Sequence, residues 1–198
     1  MAPRITVIGS INMDLVTEIE RPPKQGETIF GTRFYMQPGG KGANQAVAAA
    51  KLGADVSIVG SVGDDIFGKQ LLENLNNRGI NTDKVHTIKG ISSGIAQISV
   101  RKGNNSIVVV PGANRKLTVE HVHEAEDVIK TSDIVIIQLE IPLESVAAAA
   151  ALAHKHQVKV ILNPAPYQRL SPELIENIDY LTPNELEYDD LMKEARSK

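Results

Sequence analysis

The sequence predicts an α/β fold in which a parallel sheet lies between two layers of helices and carries a small second β-sheet. Two observations predict it. Short, continuous runs of β-branched residues alternate with segments of helical period, the pattern of parallel strands covered on both faces. Two other stretches, at about 15–36 and 91–110, alternate apolar with polar residues instead and interrupt that rhythm. They predict half-exposed strands in a sheet of their own.

The elements follow in order. Residues 4–8, Arg-Ile-Thr-Val-Ile, form a first buried strand that ends at Gly9. Residues 15–20 and 28–36 read as two half-exposed strands around a Pro-Pro-Lys-Gln-Gly turn, and Pro38-Gly39-Gly40 breaks the run. A helix starts at Lys41, with Ala43, Val47 and Ala50 recurring on one side and Gly53 as its stop. Residues 56–60 form the second buried strand. Residues 64–78 form an amphipathic helix with Ile66, Phe67, Leu71, Leu72 and Leu75 on one side. Residues 95–100 and 107–110 form a hairpin around Lys102-Gly103-Asn104-Asn105. Residues 118–130 read as one helix, with Thr118 as N-cap and His121 a poor capping-box partner. Residues 133–139 form the third buried strand and 143–157 a helix. Its alanine run, Ala147 to Ala151, permits close approach to a sheet. A fourth strand spans 158–162, a short helix 172–178, and a fifth strand centres on Tyr180-Leu181.

Composition narrows the function classes. The chain has 198 residues, 42% of them apolar and 23% charged, which suits one folded domain and argues against disorder. A net charge of −3 gives no support for a nucleic-acid partner. There is no cysteine, so disulfides, thiolate metal sites and cysteine nucleophiles are excluded. No apolar run approaches the roughly 20 residues of a membrane span, and no leader pattern opens the sequence. The expectation is a soluble, cytoplasmic protein without membrane partners. His121 with His123, and His154 with His156, are spaced i, i+2 on predicted helices and read as solvated.

In a doubly wound sheet, ligands bind beyond the carboxyl ends of the strands. Polar groups stand at each such end here: Asn12 and Asp14 after the first strand, Glu140 after the third, Asn163 after the fourth, and Asn184 and Glu187 after the fifth. Several of these converging on one edge point to a polar ligand. Gly39-Gly40-Lys41-Gly42-Ala43-Asn44-Gln45 is the sharpest local feature. Glycines there permit close backbone approach, and a helix N-terminus carries free N–H groups, although a Gly-Gly before a helix is by itself most often a plain turn. The string is neither a Walker A loop nor a dinucleotide fingerprint. Asn184-Glu185-Leu186-Glu187 reads as a capping box, which does not bar a nearby metal.

Together these motifs resemble the ribokinase family, within the phosphofructokinase-B superfamily of carbohydrate kinases. The strings that carry the resemblance are Gly9-Ser10-Ile11-Asn12-Met13-Asp14, Gly39 to Ala46, Gln138-Leu139-Glu140 with Asn163-Pro164-Ala165-Pro166, and Thr182-Pro183-Asn184-Glu185-Leu186-Glu187. They run in the family's order to about Glu187. The resemblance implies a Rossmann-like α/β sandwich with a β lid, and transfer of the ATP γ-phosphoryl group to the 5-hydroxyl of D-ribose. Carried over by residue, it implies that Asp14 and Asn12 hold sugar hydroxyls and that Gly40 gives a backbone contact. Lys41 and Asn44 would donate to sugar oxygens, and Glu140 would accept from the far side. Ala96 and Ile98 would form an apolar wall of the lid. Asn184 would position the ATP phosphates and Glu187 a hydrated Mg2+. A homodimer through the lid and a monovalent cation (K+) are implied by the family alone.

The sequence departs from the family in one respect. It contains no Gly-Ala-Gly-Asp segment, which in the family supplies the catalytic base and the anion hole. The expectation is a truncated, incomplete ribokinase-like domain over 1–198, inactive alone, with one sheet edge or face uncovered. Asp189 and Asp190 lack the glycine-rich context of a base and read as a solvated helix face. The alternatives are a non-catalytic sugar-binding or interaction fragment, or another sugar or nucleoside kinase of the superfamily.

Overall fold

The computed structural model describes residues 2–196. The strands and helices are, in chain order, β1 (Arg4–Ile8), β2 (Asn12–Glu18), β3 (Arg33–Gly39), α1 (Lys41–Lys51), β4 (Asp55–Gly63), α2 (Ile66–Asn76), β5 (Asn81–Ile88), β6 (Gly94–Arg101) and β7 (Asn104–Val110). A 3-10 turn over Gly112–Lys116 follows, then α3 (Val119–His123), α4 (Glu126–Ile129), β8 (Ile134–Gln138), α5 (Leu143–Lys155), β9 (Lys159–Asn163), α6 (Pro172–Glu176), β10 (Tyr180–Leu181) and α7 (Glu185–Arg196).

The larger sheet has six strands in the order β10-β9-β8-β1-β4-β5, with every pair parallel. Side-chain alternation along its central strands divides the core in two. Val7 and Ile58 face α1 and α2, where they meet Ala43, Ala46, Leu71 and Leu75. Ile8 and Val59 face the opposite layer, where they meet Val122, Ile129, Val146 and Ala150. The alanine run of α5 lies in this second layer, with Ala149 and Ala150 fully buried. Ser145 ties the helix down by donating to Leu117 O at 2.7 Å.

The smaller sheet has four strands in the order β3-β2-β6-β7. β2 pairs antiparallel with β3 and parallel with β6, and β6 pairs antiparallel with β7. Asn12 stands beside both Gly39 and Gly94. The small sheet therefore begins where β1 of the large sheet ends.

Several boundaries differ from the sequence expectation. β2 begins at Asn12 and β3 runs on to Gly39. Pro38 does not break β3, because β3 is an edge strand and tolerates a missing donor. Residues 28–32 are not strand. The β6–β7 turn is only Lys102-Gly103, both with positive φ (46° and 82°), which suits a two-residue hairpin. β5 is an additional strand. Its Asp83, Lys84, His86 and Thr87 hide it from a hydrophobic pattern, yet polar residues suit an edge strand. Ile66 is exposed, at the start of α2 beside its N-cap Asp65.

The expected helix over 118–130 is two short helices. Ala125 N donates to Val122 O, an i, i−3 step, and both Val122 and Ile129 are then fully buried. His121 does complete a capping box: its Nδ1 accepts from Thr118 N at 3.3 Å, and Thr118 Oγ1 accepts from His121 N at 3.3 Å. Nor are the histidines uniformly solvated. His121 stacks on His86 with ring centroids 3.8 Å apart, and His156 Nε2 lies 2.6 Å from Glu126 Oε1. Among the described residues, no helix is long and apolar enough to cross a membrane.

Ile58 is fully buried on a central strand, whereas Leu52 just beyond α1 is 89% exposed. Ile58→Ala should cost about 2–5 kcal/mol. Leu52→Ala should stay within about 0.5 kcal/mol of the unsubstituted chain. Urea unfolding of both variants checks the pair.

Candidate functional site

The candidate site lies at the carboxyl edge of the large sheet, where β1 and β8 end and the small sheet begins. Its organising feature is the start of α1. Gly40 caps the helix with φ 91°, in the left-handed region. A Cβ there would lie 2.8 Å from both Asn12 N and Ser10 O. A Cβ on Gly42 would lie 2.7 Å from Gly9 C. Gly39 faces the Asp14 carboxylate, and a Cβ would come within 2.3 Å of Oδ2. The glycines are therefore more than a plain turn. They let α1 press directly on the backbone of the β1–β2 connection.

The N–H groups at the start of α1 are satisfied within the protein. Lys41 N donates to Glu140 Oε2 at 3.3 Å, Gly42 N to Ser10 Oγ at 3.4 Å, and Ala43 N to Ser10 O at 3.0 Å. Ser10 Oγ donates in turn to Glu140 Oε2 at 2.5 Å. Lys41 Nζ lies 3.8 Å from Glu140 Oε1. The carboxylate of Glu140 thus caps α1 in place of an N-cap side chain, and negative charge suits that position.

Asp14 stands on β2, two residues beyond Asn12 and on the same face. Ala96 is its register partner on β6, and Ile98 stands beside Val16 one pleat further on. Ala96 is buried and Ile98 half-buried, so both flank the carboxylate with apolar surface. Burial, and then the charge of Glu140, push the Asp14 carboxyl above its ordinary range, against a lowering contribution from Gln37. Asn44 lies in the first turn of α1 and is exposed.

A pocket of about 210 Å3 opens beside these groups. Asn12, Asn114, Arg115, Glu140 and Gln168 supply its polar lining, and Val109, Leu139 and Pro166 are among its apolar walls. Asn114 and Gln168 were not among the residues expected from the sequence. Asn114 is 1% exposed and bonds Ile11 and Asn12. Gln168 Nε2 donates to Leu139 O at 2.7 Å. The only sequence signal for Asn114 is an asparagine following Pro111-Gly112 at the end of a β-branched run.

Asn184 and Glu187 lie apart from this group, at the start of α7. Glu187 accepts from Asn184 N at 2.8 Å and from Asn184 Nδ2 at 3.0 Å, and Asn184 Oδ1 accepts from Glu187 N at 2.9 Å. This is the expected capping box. Both Glu187 oxygens are engaged, and among the described residues no three His, Asp or Glu side chains gather into a metal site. The residues present thus do not form a direct ligand set for magnesium. An open pocket of about 530 Å3 lies over Pro183, Asn184, Glu185, Tyr188 and Asp189.

The model for pfkB family carbohydrate kinases matches residues 2–197. The chain belongs to the pfkB family of carbohydrate kinases. It is 50% identical over 183 residues to a ribokinase of Bacillus subtilis, covering 92% of this chain and 62% of that protein. It is 43% identical over 185 residues to a deoxyribokinase of Salmonella typhi, covering 92% of this chain and 60% of that protein. Among solved structures, Arabidopsis thaliana ribokinase complexed with ribose and ATP superimposes with a TM-score of 0.85 at 37% identity, covering 94% of this chain and 62% of that one. The chain thus spans about three-fifths of the length of these pfkB relatives.

Two outcomes follow from the site's packing and charge. Gly42→Ala should push α1 off the Gly9–Ser10 backbone and cost about 1–3 kcal/mol, measured by urea unfolding. Asp14→Asn should raise Tm at neutral pH. A carboxyl whose folded pKa is raised contributes stability below its unfolded pKa and loses it as pH rises through the folded one. The Tm gap between Asp14→Asn and the unsubstituted chain should therefore close as pH falls through the raised pKa, in a calorimetric pH series.

Proposed function

We propose that these residues form the sugar-holding part of a kinase that transfers the γ-phosphoryl group of ATP to the 5-hydroxyl of D-ribose. The observation that carries this reading is the pairing of Asp14 with Glu140 at one edge, close enough for the charge of one to raise the pKa of the other. Two carboxylates held together without a resident cation suit a ligand that brings several hydroxyl donors, as a polyol does. The ribokinase and ribose-complex relatives support the same choice.

In this reading Asp14 accepts from sugar hydroxyls with Asn12 beside it, and Gly40 offers its backbone. Lys41 and Asn44 donate to sugar oxygens, and Glu140 accepts from the far side while remaining anchored to Ser10. Ala96 and Ile98 form the apolar wall of a lid, which excludes water and strengthens the polar contacts beneath it. Asn184 lies toward the ATP phosphates. With Glu187 engaged by Asn184, Mg2+ would be held through water and phosphate oxygens, and no step is assigned to it. A monovalent cation has no assigned ligand among these residues. The exposed Phe34, Met36 and Val108 of the small sheet favour a homodimer through the lid, in a cytoplasmic setting.

Phosphoryl transfer needs positioning and charge stabilisation at the moving group. The sequence holds no Gly-Ala-Gly-Asp segment. The proposal therefore assigns sugar binding to this 198-residue polypeptide and no ADP release when it is alone. The deoxyribokinase relative keeps a second reading open, in which the favoured sugar is 2-deoxy-D-ribose.

Calorimetric titration tests both readings. D-ribose should bind saturably, and Asp14→Ala should weaken it by about a hundredfold or more, the loss of charge-assisted hydrogen bonds. Tighter binding of 2-deoxy-D-ribose would transfer the assignment to the second reading. Absence of heat with any pentose, from a chain shown to be folded, would refute the sugar-holding role.

A further inference from the structure

Asn114 sits in the 3-10 turn after β7 and is 1% exposed. Its amide lies between one donor and three acceptors, and this fixes which way it points. Ile11 N donates to Asn114 Oδ1 at 2.9 Å. A backbone N–H can only donate, so the amide oxygen must face it. Nδ2 then faces Asn12 Oδ1 at 2.7 Å, Pro111 O at 3.0 Å and Ile11 O at 3.3 Å. Two of these are carbonyls that can only accept, so the orientation is determined from both ends.

The same logic passes to the next side chain. Asn114 offers Asn12 an N–H, so Asn12 must answer with its oxygen. Asn12 is 3% exposed and lines the 210 Å3 pocket together with Asn114 and Glu140. With Oδ1 taken, its Nδ2 is the end left for a ligand, and that end only donates. Two residues along the same face of β2, an ionised Asp14 only accepts. Gly94, beside Asn12 on β6, makes room for the pair. A Cβ there would lie 2.1 Å from Asn12 Oδ1 and 2.2 Å from Asn114 Nδ2.

We propose that Asn114 is a positioning residue that locks Asn12 with its amide nitrogen toward the cleft, so that Asn12 and Asp14 together select a hydroxyl group. This rests on the reading of the cleft as a sugar site. A hydroxyl accepts from Asn12 and donates to Asp14. A deoxy carbon does neither, and a carbonyl or ether oxygen cannot donate. Sites built around a buried hydroxyl partner reject the analogue that lacks it far more strongly than apolar pockets reject a missing methylene.

The test is calorimetric titration of D-ribose, 2-deoxy-D-ribose and 3-deoxy-D-ribose into the unsubstituted chain and into Asn114→Ala. One deoxy sugar should bind the unsubstituted chain at least about a hundredfold more weakly than D-ribose. In Asn114→Ala that ratio should shrink by roughly tenfold, because Asn12 becomes free to turn its oxygen outward. An equal loss for all three sugars, with the ratio intact, would show a merely structural role and overturn the proposal. If the variant does not fold or binds no sugar, NMR of the unsubstituted chain decides. D-ribose must shift the Asn12 side-chain amide resonance while the Asn114 amide protons stay slow to exchange, and an unmoved Asn12 resonance would overturn the proposal. If no pentose binds the unsubstituted chain, it is the kinase reading that fails. The lock is then judged by scalar coupling across the hydrogen bond from Asn114 Nδ2 to the Asn12 side-chain carbonyl, whose absence would also overturn it.

Discussion

The contact of α1 with the β1–β2 connection is the constraint on which the site depends. A helix end with no capping side chain would leave several N–H groups without partners in a buried position. Here Ser10 and Glu140 take that role, from the ends of β1 and β8. The contact is possible only because Gly40 and Gly42 carry no Cβ. One packing event therefore fixes the ends of two central strands and the start of the helix between them. It also directs the chain out of the large sheet at Asn12 and into the small one.

Glu140 holds this arrangement and also charges it. Its carboxylate is stabilised by Ser10, by the start of α1 and by Lys41. The same charge raises the cost of ionising Asp14, which burial has already raised. Asp14 is thus poised for proton donors, and the fold bears the strain of keeping it there. Stability lost at a binding site in this way is recovered only when a ligand supplies the missing donors.

The large sheet was legible because its strands are buried on both faces and read as unbroken β-branched runs. β5 escaped because an edge strand needs little apolar surface and carries Asp83, Lys84 and His86. The ends of the small sheet were misread for a related reason. Asn12 and Gly39 look like loop residues in sequence, yet they pair with each other as the first rung of a ladder. Asp14, Glu140 and the glycine string were visible as residue types at strand ends. The buried Asn114 was not, because its importance lies in contacts with Ile11 and Asn12 about a hundred positions away, which no local pattern encodes. The split of α3 from α4 was also hidden, since only the packing of Val122 and Ile129 together reveals the step at Ala125.

The two ends of the candidate machinery differ in how completely they satisfy themselves. At the start of α7, Asn184 and Glu187 exchange three hydrogen bonds and form a closed unit. Asn163 joins this end to the sheet by donating to Thr182 O at 3.1 Å. Such a unit is rigid without a ligand and can orient one only through its outer surface. At the start of β2 the polar groups are instead organised in series: backbone fixes Asn114, Asn114 fixes Asn12, and Asn12 stands beside a carboxylate already short of donors. Each link settles the polarity of the next, so the last of them faces the cleft with a defined hydrogen-bonding character. Selectivity at this edge then follows from backbone geometry, because reversing the final donor would require reversing every link behind it.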